Sequence, residues 1–91
     1  MKLSNKPGDI LAKRKVYFVV VYNRDNKIGC FLSSPMAFVM NRQDAALFDT
    51  REEAEELMKQ ARSNGIGNLI PDCLRMSVSF DMQYLTAVWN F

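Results

Sequence analysis

The sequence predicts an α+β protein of one small domain. Its sheet is antiparallel, with four or five strands, and one main helix (about residues 50–64) packs on one face. Three observations carry that prediction. Residues 48–65, FDTREEAEELMKQARSNG, spell a helix from start signal to stop signal. Residues 16–22, VYFVVVY, form an apolar, β-branched run of strand length. Residues 74–82, LRMSVSFDM, alternate apolar and polar side chains without a break. A chain of 91 residues is long enough for one such core, with little to spare.

The elements follow in order. Residues 1–13 read as a poorly ordered basic arm. The run 16–22 is apolar on both of its alternating sets, so it reads as a central strand covered on part of both faces. Asn23-Arg24-Asp25-Asn26 is a polar turn, and residues 27–32 return as the second strand of a hairpin. Ser33-Ser34-Pro35 breaks that strand, and residues 36–40 make a short third one. Asn41 is placed to cap a single helical turn over residues 42–47.

The main helix is the most fully specified element. Thr50 and Glu53 make a T-x-x-E capping box. Glu52, Glu53, Glu55 and Glu56 lie toward the positive end of the helix dipole, with Lys59 and Arg62 toward the negative end. Ala54, Leu57, Met58 and Ala61 recur at i, i+3, i+4 and i+7, which is one narrow apolar stripe. Asn64-Gly65 is the stop. The glutamates read as a solvated surface in preference to a metal or acid–base site. Residues 63–71 then form a loop. In the last strand Leu74, Met76, Val78, Phe80 and Met82 face the core, and Arg75, Ser77, Ser79 and Asp81 face water. That strand is expected to end near Asp81 and turn back over residues 84–90.

Composition excludes several classes. No apolar run approaches the roughly 18 residues of a membrane span, and the start MKLSNKPGD has no apolar h-region, so a cytoplasmic protein is expected. Cys30 and Cys73 read as buried reduced thiols. The chain has no histidine, which removes the commonest general base and zinc ligand. No phosphate loop is present, because the glycines of SNGIGNLIPD follow a helix instead of preceding one. No catalytic residue, cofactor or metal ligand is therefore assigned, and an enzyme is not expected.

Binding surfaces remain. The net charge of +2 divides unevenly: residues 1–27 hold seven basic and two acidic side chains, the remainder five and eight. Lys13, Arg14, Lys15, Arg24 and Lys27 are accordingly one set of candidate partner contacts, although they also read as solvated charges guarding an aggregation-prone strand. Tyr84, Trp89 and Phe91 are the other set, as aromatic anchors at an interface with a partner or in a homodimer. Packing of these aromatics in a final strand is the favoured alternative. The methionines, Met36 and Met40 included, read as adaptable core filler.

The run YFVVVYNRDNKIGCFLS followed by DAALFDTREEAEELM resembles small phage-encoded proteins in which a β-hairpin precedes an A-x-x-F-[DS]-[ST]-x-x-E-A segment entering a helix. Ala45, Phe48, Asp49, Thr50, Glu53 and Ala54 carry the pattern. The layout is similar to that of certain anti-CRISPR and other anti-defence proteins, and the likeness covers about residues 16–62. It implies stoichiometric binding to a host protein or protein complex in the host cytoplasm, and it transfers no site residues. A pI near 8.7 argues against DNA mimicry by the whole chain. The alternative is a nucleic-acid or nucleotide-binding module using the basic N-terminal third, with Tyr17 or Tyr22 as stacking rings. A third reading is a ligand-binding subunit active only as an oligomer.

Overall fold

The computed structural model describes residues 10–86, with side chains described over 14–83. Four antiparallel strands, β1 (Ile10–Asn23), β2 (Ile28–Ser34), β3 (Ala37–Val39) and β4 (Cys73–Thr86), form one sheet in the order β3-β2-β1-β4. One helix, α1 (Arg51–Ser63), lies across it. The expected α+β architecture is thus the observed one.

β1 is the central strand, and its composition explains why. Val19 and Val21 sit under α1 in a cluster with Cys30, Leu32, Ala54, Leu57, Ala61, Ile66 and Ile70. Phe18 and Val20 point the other way and pack with Phe31 and Ala45. Both alternating sets are buried, so the strand can carry no polar face. β1 starts at Ile10, six residues ahead of the apolar run, because β4 pairs with it from Asn23↔Cys73 to Ile10↔Thr86. Residues 1–9 of the expected arm lie outside the described residues.

The hairpin turn is organised by one side chain. Asn23 Oδ1 accepts the N–H of Asp25 and that of Lys27, each at 3.0 Å. Asn26 takes a positive φ of 60°, which asparagine tolerates better than most residues. β2 follows β1 only from Tyr22↔Ile28 to Val20↔Phe31. Beyond that point residues 45–48 enter between the two strands. Ala46 N–H donates to Leu32 O at 3.1 Å, and Phe48 exchanges both backbone hydrogen bonds with Tyr17. The single turn ahead of this segment is a 3-10 turn, Arg42–Asp44, and Asn41 makes no side-chain cap to it.

α1 forms as expected. Thr50 Oγ1 accepts the Glu53 N–H at 3.3 Å, but the return contact differs from a standard capping box. The Glu53 carboxylate accepts the Thr50 hydroxyl at 3.0 Å. Ala54, Leu57 and Ala61 are buried, and Met58 flanks them. Gly65 closes the helix with φ 72°, a left-handed conformation that favours glycine. The following loop is less peripheral than its polarity suggests. Ile66, in a 3-10 turn, is fully buried, and Ile70 plugs the same core.

β4 corrects two expectations. It runs unbroken through Asp81 to Thr86, so there is no turn at that point. Residues 87–90 of the expected returning strand lie outside the described residues. Its apolar set does face α1, in register with Tyr17, Val19 and Val21. The helix is shorter than the strand, however, so Phe80 remains 49% exposed; Leu74, 52% exposed, lies where the β1–β4 register shifts, and Cys73 packs on the core beside it.

Candidate binding groove at the hairpin end

The hairpin end of the sheet is held by cross-ties. The Arg75 guanidinium stacks 3.8 Å from the Tyr22 ring centroid and donates to Asn26 Oδ1 at 3.1 Å. Arg24 pairs with Asp72 at 3.6 Å, joining the turn to the loop ahead of β4. Asp72 adopts a left-handed φ of 56° at the point where the loop becomes strand. These ties are solvent-exposed and individually weak. Together with the Asn23 turn they fix the hairpin relative to the Ile70-Pro71-Asp72 loop.

Between them lies a groove of about 470 Å³. Val21 and Cys30 form its floor; Ile28, Phe38 and Met40 line one wall, and Ile70, Pro71 and Cys73 the other. The lining is mostly apolar, with Asn23 and Asp72 as its polar members. Ile28 and Met40 are 55% and 69% exposed, and Met36 and Leu69, at 59% and 61%, stand clear of the core. Met36 and Met40 are therefore not core filler. β3 has only three residues and lies at the sheet edge, where nothing among the described residues covers them.

The thiols differ. Cys30 is buried, and burial, followed by the neighbouring Cys73, pushes its pKa above the ordinary value. A thiol so shifted stays protonated at neutral pH and is a poor nucleophile. Cys73 is only half-buried, contrary to expectation. Neither is in a disulfide. No trio of Cys, Asp or Glu able to hold a metal occurs among the described residues. The groove is suited to contact and shape recognition of an apolar group, a use for which methionine and aromatic side chains are well adapted.

The expected basic contacts fall into two places. Arg24 and Lys27 are exposed at the hairpin end, with Arg24 on the groove's Asp72 rim. Arg14 and Lys15 are far down β1 on opposite faces. Arg14 donates to Gln83 Oε1 at 2.9 Å and pairs with Asp49 at 3.2 Å, whereas the Lys15 ammonium lies 4.4 Å from the Phe80 ring centroid. Lys13 and Tyr84 are register partners in the β1–β4 ladder, and their side chains lie outside the described residues. Trp89 and Phe91 also lie outside them. The two basic groups are separated by roughly 30 Å of extended strand, so they do not form one patch.

Sequence reasoning missed the groove itself. Its available signal was the M-A-F-V-M segment beside Pro35, a strand too short to be buried on both sides. No helix among the described residues is long and apolar enough to cross a membrane. Comparison with protein-family models, curated proteins and solved structures gives no match to this chain.

Proposed function

We propose that this is a small non-enzymatic binding protein that takes an apolar segment of a host protein or complex into the hairpin-end groove and blocks it by stoichiometric occupancy. The observation that carries the reading is the exposure of Ile28, Phe38 and Met40 around a concave apolar floor. Large apolar side chains gathered at one concavity mark interaction sites, whereas scattered ones do not. The likeness of residues 16–62 to anti-defence proteins supports a phage or mobile-element accessory factor acting in the host cytoplasm. Arg24 and Lys27 would then add polar contacts at the rim, where exposed charges act more on association rate than on affinity.

The test is a Phe38→Ser, Met40→Ser double variant. The native chain captures a defined protein from bacterial lysate with one-to-one stoichiometry by calorimetry, and the variant melts like the native chain but does not bind. Full binding by a folded double variant sinks the proposal. Salt-sensitive retention of DNA or RNA at physiological ionic strength, lost on Lys13→Ser, Arg14→Ser and Lys15→Ser substitution, would instead establish the nucleic-acid reading.

A further inference from the structure

Among the described residues the sheet has a second open surface, at the edge opposite β3. β4 pairs with β1 on one side, and no described strand pairs with it on the other. Natural proteins blunt such edges with short strands, lysines, prolines or bulges. Residues 73–86, CLRMSVSFDMQYLT, contain no lysine, proline or glycine, and they form a strand of 14 residues whose ladder with β1 is regular from Arg75 to Leu85, with register shifts at its two ends.

The backbone groups on that edge can be identified. Tyr17 is the register partner of Phe80, yet its N–H and C=O both bond to Phe48 on the far side of β1. Tyr17 and Phe80 are therefore a non-hydrogen-bonded pair, and Phe80 turns its own N–H and C=O to the open edge. The alternation extends this to Met76, Val78 and Met82; the β1–β4 register shifts between Tyr22 and Asn23, so Leu74 lies at a bulge outside it. Two side-chain contacts agree with it. Arg62 reaches Met76 O at 3.4 Å, and Asp81 Oδ1 accepts the Met82 N–H at 2.8 Å, exposed contacts that a pairing strand would displace or share. The residues that offer backbone bonds are thus the same ones whose apolar side chains face α1, including the half-exposed Phe80.

We propose that β4 pairs antiparallel with β4 of a second copy, about a two-fold axis at Val78, to give a dimer with one continuous sheet. In that register Val78 meets Val78 of the second copy and Met76 meets Phe80, while Met82 falls opposite the bulge at Leu74. These apolar pairs cover the strand end that α1 is too short to reach. On the other face Arg75 stands opposite Asp81, twice by symmetry, and Ser77 stands opposite Ser79. The charge pairing selects the register. Sliding the strands by two residues, the smallest shift that keeps the backbone bonds, puts Arg75 opposite Ser79 or Gln83 and Asp81 opposite Cys73 or Ser77. Both charged side chains are exposed; to form the new pairs Arg75 turns from its stack on Tyr22 and its bond to Asn26, and Asp81 from Arg42. A cross-strand pair of opposite charge is favourable, and like charges directly opposed are unfavourable. This dimer does not depend on the hairpin-end groove; it would make a groove-binding protein bivalent.

Light scattering over a dilution series tests it on the native chain, which should approach twice its 10.5 kDa mass as concentration rises. Arg75→Asp alone, or Asp81→Arg alone, should weaken the dimer by about tenfold or more, since each creates two like-charge pairs. The double variant Arg75→Asp, Asp81→Arg should restore it. Amide hydrogen exchange on the native chain gives a readout that needs no variant to fold. Met76, Val78 and Phe80 should gain protection with concentration, while Ser77 and Ser79, already bonded to β1, should not. A chain that stays monomeric at every concentration overturns the dimer. Single variants that dimerise like the native chain, or a folded double variant that fails to, overturn the register.

Discussion

Tyr17 and Phe48 exchange both of their backbone hydrogen bonds, at 2.8 Å and 2.9 Å, although the two residues belong to no common hairpin. The pairing lets residues 45–48 take the place that β2 vacates beside β1. It brings Phe48 onto the helix face and leaves Ala45 in the cluster on the other face. It also sets the start of α1, since Thr50 follows two residues later. An arginine secures each side of this crossing. Arg42 lies over the Phe18 ring at 4.8 Å and pairs with Asp81, while Arg51 lies 5.9 Å from the Tyr17 ring centroid.

If that crossing holds the two halves of the sheet together, removing one of its donors should be felt globally. Ala46→Pro deletes the N–H that bonds Leu32 O. Ala45, at φ −70° and ψ 151°, already has the conformation a following proline requires. The expected cost is about 1–3 kcal/mol, from a backbone acceptor left unsatisfied. Urea denaturation measures it. A variant as stable as the native protein would show that the crossing contributes little.

The helix offers an internal comparison. Thr50→Ala should cost about 1 kcal/mol through the lost cap, and Leu57→Ala about 2–5 kcal/mol through the cavity it opens. Glu56→Ala should stay within about 0.5 kcal/mol, as for an ordinary surface substitution. Ala61 is fully buried, so Ala61→Leu should overpack the interface at a cost of about 1–3 kcal/mol. Equal losses at Glu56 and Leu57 would contradict the observed docking.

Asn23 carries the hairpin through two accepted N–H bonds. Asn23→Ala frees both and should lower stability by about 1–2 kcal/mol. Asn23→Asp keeps the acceptor and should recover most of that loss. Thermal melting of the two variants distinguishes a turn held by this side chain from one held by the backbone alone.

The thiols predict a pH dependence. The Cys30 pKa lies above its ordinary value of 9.0, because burial and then Cys73 disfavour the thiolate. The folded state therefore holds the Cys30 proton more tightly than the unfolded chain does. The stabilisation is fully present below the ordinary thiol value and is lost as pH rises through the higher, folded one. Melting temperature should fall on the alkaline side of that value, and less so in Cys30→Ala. Under native conditions iodoacetamide should modify Cys73 before Cys30. Equal labelling rates would mean that Cys30 is not sealed in the core.

The elements legible in the sequence are those whose signals act over a few residues. The α1 boundaries follow from Thr50, Glu53 and Gly65. The centrality of β1 follows from an apolar run with no wet face, and the phase of β4 from its alternation. Each rests on local hydrogen bonds or on side-chain periodicity, which chain connectivity alone dictates. Sheet order, by contrast, is a long-range outcome. Nothing within residues 74–82 tells how far β1 will extend to pair with them, so the strand's continuation through Asp81 was hidden. Nor could Met36, Phe38 and Met40 reveal their exposure, because apolar content does not say whether a strand will be central or at an edge. Ile66 and Ile70 fill the core from a polar loop for the same reason. Only the assembled sheet decides which apolar side chains α1 is long enough to cover, and those it leaves uncovered form the groove wall and the open β4 edge.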